Sequence, residues 1–110
     1  MDSIDFNNSY VLTFKLKKNT NDFEYTLIKF KSPLDRLTFG DLFYLYVDEY
    51  NEKHRDYPIQ YLNQLNQPHE WVFYINPSKW WQSKRYIDPS LTIRENKLGE
   101  NYVIVSERTN

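Results

Sequence analysis

The side chains best suited to proton transfer or metal binding in this 110-residue chain are His54 and His69, each with a carboxylate close by in sequence, Asp56 and Glu70. A histidine oriented by a carboxylate is a common beginning for general acid–base chemistry. Neither pair has the spacing that sets two ligands on one face of a helix, as a helical zinc motif requires. The absence of cysteine excludes disulfides, thiolate metal sites and a thiol nucleophile. Two glycines in the whole chain leave no glycine-rich phosphate loop, and no nucleophile-elbow pattern surrounds any serine. Both histidines are therefore expected on the surface near loop ends, and the chain is expected to be non-enzymatic, with no cofactor and no metal.

A second cluster has the composition of a binding site. Lys79, Trp80, Trp81, Lys84, Arg85 and Tyr86 fall within eight residues. Tryptophan and arginine dominate protein hot spots, and aromatics among cations also suit stacking on nucleic-acid bases. If the two tryptophans are neighbours in a strand they point to opposite faces, so at least one indole is expected to be exposed. The competing reading is a tryptophan packed beneath a basic side chain. Charge argues against a dedicated nucleic-acid binder: 14 Lys and Arg stand against 15 Asp and Glu, a net charge of -1, whereas phosphate neutralisation needs a basic excess. Binding of a nucleic acid or another polyanion through this stretch is the alternative to protein docking.

The elements that must position these residues are legible from periodicity. Tyr10 to Lys17 alternates strictly, with Tyr10, Leu12, Phe14 and Leu16 on one side, the mark of a half-buried strand. A turn rich in Asn and Asp leads to Phe23–Phe30, completing a hairpin. The alternation slips at Leu27-Ile28, which leaves the inward face of this strand open and is consistent with a bulge. Phe39, Leu42, Phe43, Tyr46, Val47 and Tyr50 carry the helical period from about Phe39 to Lys53, behind a Thr38 cap. A shorter helix is expected from Pro58 to Asn66. Trp71–Ile75, a short edge strand within Lys79–Ile87, and Tyr102–Ser106 complete the set. This is an α+β pattern with a mixed sheet on one main helix. Residues 1–9 read as a loose arm, and 10–107 as a single domain, the size expected for one core.

The order strand, strand, helix, strand, short strand, strand resembles the β-grasp of ubiquitin-like domains, and the last third adds detail. Asp88-Pro89-Ser90-Leu91-Thr92-Ile93, then Asn96-Lys97-Leu98-Gly99-Glu100-Asn101, then Tyr102-Val103-Ile104-Val105 is similar to the closing section of that family, with Leu91 and Leu98 as its buried apolar residues. The resemblance implies adjacent, parallel first and last strands at the sheet centre. The sequence given closes on Ser106-Glu107-Arg108-Thr109-Asn110 without a diglycine, so the resemblance is to a non-conjugating domain. The longer 54–70 and 79–86 segments make it a divergent one, closer to Ras-association or FERM-type lobes.

In that family the sheet face opposite the helix is the usual docking patch. Taking Leu12, Phe14, Trp71, Phe73, Val103 and Val105 as the covered set, the open face holds Val11, Thr13, Val72, Tyr74, Tyr102 and Ile104. So apolar a face is expected to be an interface for a protein partner. The candidate binding residues are Val72, Tyr74, Trp80, Trp81, Lys84, Arg85, Tyr102 and Ile104. A further alternative, implied by the Ras-association likeness, is strand addition at the second strand, where Lys29 and Lys31 would meet an acidic partner or merely discourage aggregation. No basic n-region with an apolar run, no span-length apolar stretch and no lipidation motif is visible, so the expectation is an intracellular, cytoplasmic chain without membrane insertion.

Overall fold

The computed structural model describes residues 9–19, 21–60 and 70–108. The elements are β1 (Ser9–Leu16), β2 (Thr26–Pro33), α1 (Phe39–Lys53), β3 (Trp71–Ile75), β4 (Arg85–Ile87) and β5 (Val103–Arg108). They form one mixed sheet in the order β2-β1-β5-β3-β4, an α+β arrangement. β1 pairs antiparallel with β2 and parallel with β5, and β3 lies antiparallel to both β5 and β4. The first and last strands are therefore neighbours at the sheet centre. Residues 1–8 of the expected arm lie outside the described residues, and Ser9 already belongs to β1. The short helix expected over 58–66 also lies outside them from residue 61 onward, while Pro58–Gln60 are not helical.

Alternation decides which side of each strand meets the helix. Leu12, Phe14 and Leu16 of β1 are fully buried, as are Phe39, Phe43 and Val47 of α1. Phe14 stacks on Phe30 and meets Phe39 and Phe43 edge-on, and Phe73 meets both of those rings from β3. Edge-to-face and offset rings are the favoured aromatic geometries, so this cluster fixes the helix over the sheet as well as filling the core. The second strand has no bulge. Its register runs unbroken from Ser9↔Pro33 to Leu16↔Thr26, with Ile28, Phe30 and Ser32 inward and Leu27, Lys29 and Lys31 outward. The slip in the pattern arises because the strand begins only at Thr26.

The helix starts where its orphan amides find acceptors. Thr38 Oγ1 accepts from the Asp41 amide at 3.2 Å, and the Phe39 and Gly40 amides donate to the carbonyls of Leu91 and Pro89 at 2.8 and 2.9 Å. The segment 88–101 thus holds the helix N-terminus. Its own shape comes from a reciprocal capping box between Thr92 and Glu95 and from the Asn96 amide, which binds the carbonyls of Asp88 and Thr92. Ile93 and Leu98 are buried and Leu91 is half-buried. At Gly99 an added Cβ would stand 2.8 Å from the Tyr102 ring, so that ring would have to shift to admit one.

The last strand reverses the expected face assignment. Ile104 is fully buried, facing α1 in register with Phe14, whereas Val103 is 43% exposed on the other side. Ile104 therefore belongs to the core. Tyr102, which precedes the strand, lies against Gly99. Val105, expected on the covered side with Val103, points outward instead and is buried there, opposite Tyr74.

Candidate functional site

Strand registers place the outward side chains in rows. Lys15 pairs with Leu27 on one side and Val105 on the other, Val105 with Tyr74, and Tyr74 with Tyr86. The row Leu27-Lys15-Val105-Tyr74-Tyr86 crosses all five strands on the face away from the helix. Its ends are exposed, Leu27 by 61% and Tyr86 by 64%, while Tyr74 in the middle is only 5% exposed. Parallel to it, Lys29, Thr13 and Val103 form a second row. Tyr25, just before β2, covers one corner, with the ammonium groups of Lys15 and Lys17 4.7 and 5.3 Å from its ring centre. A depression of about 300 Å³ opens there between Lys17, Tyr25, Ser106, Glu107 and Arg108.

The aromatic-basic stretch divides into three parts. Lys84 places its ammonium 4.3 Å from the Tyr74 ring centre and so joins the open face. Arg85 turns away, donating to the carbonyls of Asn96 and Lys97, and ties β4 to that turn. Trp80 and Trp81 sit in the turn after β3, edge to face at 5.8 Å, and are 91% and 63% exposed. Neither indole enters the core. The expectation that at least one would be exposed rested on both lying in a strand; they lie in a turn instead, and both are exposed. Lys79 stands over the Trp81 ring at 5.1 Å.

Type VI secretion system, TssN, is the family whose model matches this chain, over residues 1–109. The chain belongs to the TssN family. A search of curated proteins returned no match. Of the candidate binding residues of this TssN-family chain, Val72, Tyr74 and Lys84 meet on the open face and Trp80 and Trp81 stand out from the β3–β4 turn. Arg85 is held by the carbonyls of Asn96 and Lys97, Ile104 is buried in the core, and Tyr102 lies against Gly99 while remaining exposed. Sequence reasoning missed Tyr25, Leu27 and Val103 as members of this face, whereas Lys15 follows from the alternation of β1. The slip at Leu27-Ile28 disguised the phase of β2.

Of the two histidines, the structure describes His54. His54 caps the helix: its Nδ1 lies 3.0 Å from the Tyr50 carbonyl and its ring stacks on Tyr50 at 3.9 Å. A shallow depression of about 400 Å³ surrounds it, lined by Lys18, Glu52, Lys53, Arg55, Asp56 and Tyr57. Its ring nitrogen pairs with that carbonyl rather than with Asp56. His69 lies outside the described residues. Among the described residues no group of three or more His, Cys, Asp or Glu could hold a metal ion, and no helix is long and apolar enough to cross a membrane.

Tyr74 is the most perturbed group of the face. Burial, followed by its hydrogen bond to Glu107 and the charge of that carboxylate, pushes its hydroxyl up to about 12 from 10.0. The folded state holds this proton more tightly than the unfolded chain does. The resulting stabilisation is complete below pH 10 and is lost as pH rises towards 12. In an ultraviolet difference titration Tyr74 should ionise last among the tyrosines, and Tyr74→Phe should remove that final step. An unchanged titration curve would show that the hydroxyl is not buried against Glu107.

Proposed function

We propose that this chain is a non-catalytic docking domain of a type VI secretion system, ubiquitin-like in architecture, that binds a protein partner on its open sheet face. Support for the β-grasp reading is the strand order β2-β1-β5-β3-β4 with a parallel central pair and the helix after the first hairpin. Support for the system is the family membership. The observation that carries docking is the open face itself, where Leu27, Tyr86 and Val103 are exposed around the buried Tyr74 and Val105. Apolar side chains placed outward add little to the monomer, and contiguous groups of them mark interfaces.

Cross-linking tests it. A photo-reactive residue at Val103 should form adducts in cells that run the secretion system, whereas one at Asp88, in the turn after β4, should form few. Leu27→Asp and Tyr86→Ala should each weaken capture of the cross-linked partner about tenfold, the loss of a modest hot spot. Full capture by both variants would remove the sheet face from consideration.

A second reading rests on the two exposed indoles. From Asn76 to Ile87 there are three cations and no carboxylate, a surface suited to a polyanion. A gel-shift titration separates it from protein docking, because phosphate contacts weaken steeply with salt. No shift at low salt dismisses it. Strand addition at β2 is less well supported: β2 is an edge, but the Tyr46 hydroxyl already donates to its Lys31 carbonyl at 3.1 Å.

A further inference from the structure

The exposed stripe of α1 holds Asp41, Asp48, Glu49 and Glu52 around Tyr44 and Leu45, both exposed. No cation lies between Phe39 and Glu52, and the first one met, Lys53, pairs with Glu49 at 3.6 Å. The stripe runs about 16 Å along the helix at 1.5 Å per residue. The opposite layer has the reverse character. Lys15, Lys17 and Lys29 lie around Leu27 and Val103 on the open sheet face, three cations against the one nearby carboxylate of Glu107. A chain of net charge -1 thus sets an acidic helix stripe opposite a mainly basic sheet face, each with exposed apolar side chains.

The two surfaces lie on opposite sides of one sheet–helix sandwich, so a single chain cannot bring them together. Two copies can. We propose that a second copy of this chain docks head to tail, its acidic helix face on the basic sheet face of the first. This rests on the reading that the open face docks protein, and it names the occupant. The charge pattern also selects the geometry. Sheet-on-sheet pairing would oppose lysines, and helix-on-helix pairing would oppose carboxylates, so both two-fold arrangements are repelled, whereas the head-to-tail contact is attracted. A contact between unlike faces leaves one face of each copy unfilled and propagates into a ring or a filament.

Sedimentation velocity on the full chain tests this with two surface variants. Lys15→Gln/Leu27→Ser/Lys29→Gln neutralises the sheet face, and Leu45→Ser/Asp48→Asn/Glu52→Gln neutralises the helix face. Circular dichroism checks that each still folds. At low salt the wild type should exceed its 13.5 kDa monomer mass as concentration rises, and should return to it in about 0.5 M salt, where screening is nearly complete. Each variant alone should associate at least tenfold more weakly. Mixed in equal amounts they should form a 1:1 dimer and nothing larger, because each brings one intact face. A wild type still monomeric at about 1 mM in low salt, or a sheet variant that associates more strongly than the wild type, would overturn the proposal. Adducts of the Val103 cross-linker with some other protein, formed by a chain that stays monomeric, would leave the docking reading standing and remove only the second copy.

Discussion

Replacing Phe14 by alanine should lower the unfolding free energy by about 3–5 kcal/mol, the range for deleting a buried aromatic ring. The ring is fully buried on a strand with neighbours on both sides. It touches three other rings: Phe30 stacked at 4.7 Å, Phe39 edge-on at 5.3 Å and Phe43 edge-on at 5.2 Å. Two of these belong to α1 and one to β2, so the cavity would open where helix, hairpin and sheet centre meet. It could close only if the helix moved. Domains of this size are stable by roughly 5–15 kcal/mol, and the variant should therefore stand near the edge of folding. Urea denaturation followed by circular dichroism measures the loss directly. A loss below about 1 kcal/mol would mean that the helix does not pack where these rings place it.

The second large effect separates two adjacent residues of β5. Ile104→Ala should cost about 2–5 kcal/mol, and Val103→Ala less than about 1 kcal/mol. Ile104 is fully buried beside Phe14, while Val103 is half in solvent on the other face. The same pair should part in the opposite sense in a binding assay, where Val103 carries the contact and Ile104 does not. Thermal or urea melts of both variants in one buffer decide the order. Equal losses would mean that β5 does not present one side to the helix.

That pair also shows where sequence reading reaches its limit. In β1 the alternation of Leu12, Phe14 and Leu16 with Thr13, Lys15 and Lys17 names the inward face unaided, and the structure has it so. In Tyr102-Val103-Ile104-Val105 every residue is apolar. Period two then carries no information about phase, which is set by registry with β1 across the parallel pairing. Helix α1 was legible to the residue because a cap, an apolar stripe and acidic positions all agreed. The second strand was not, because Phe23 and Tyr25 look like strand residues yet precede Thr26 in a turn. Trp80 and Trp81 could be named as candidate binding residues. That both indoles would be exposed could not, since a short turn holding two of them in water has no local signature. The joining of Lys84 to Tyr74, and the loss of Arg85 to the carbonyls of Asn96 and Lys97, depend on tertiary placement alone.

The pairing of β1 with β5 has a consequence for how the protein is made. The Val11 amide donates to the Glu100 carboxylate, 89 residues further on, and the Asn101 amide donates back to the Val11 carbonyl at 2.7 Å. During synthesis the β1–β2 hairpin and α1 leave the ribosome first, and local contacts let them form early. The inner edge of β1 must then wait for β5, the last strand of the sheet to emerge. Non-local closure of this kind slows folding, and until it happens β1 offers an unpaired row of amides and carbonyls to any other chain. Any delay between the emergence of the hairpin and that of β5 lengthens the time for which this edge is open to mispairing.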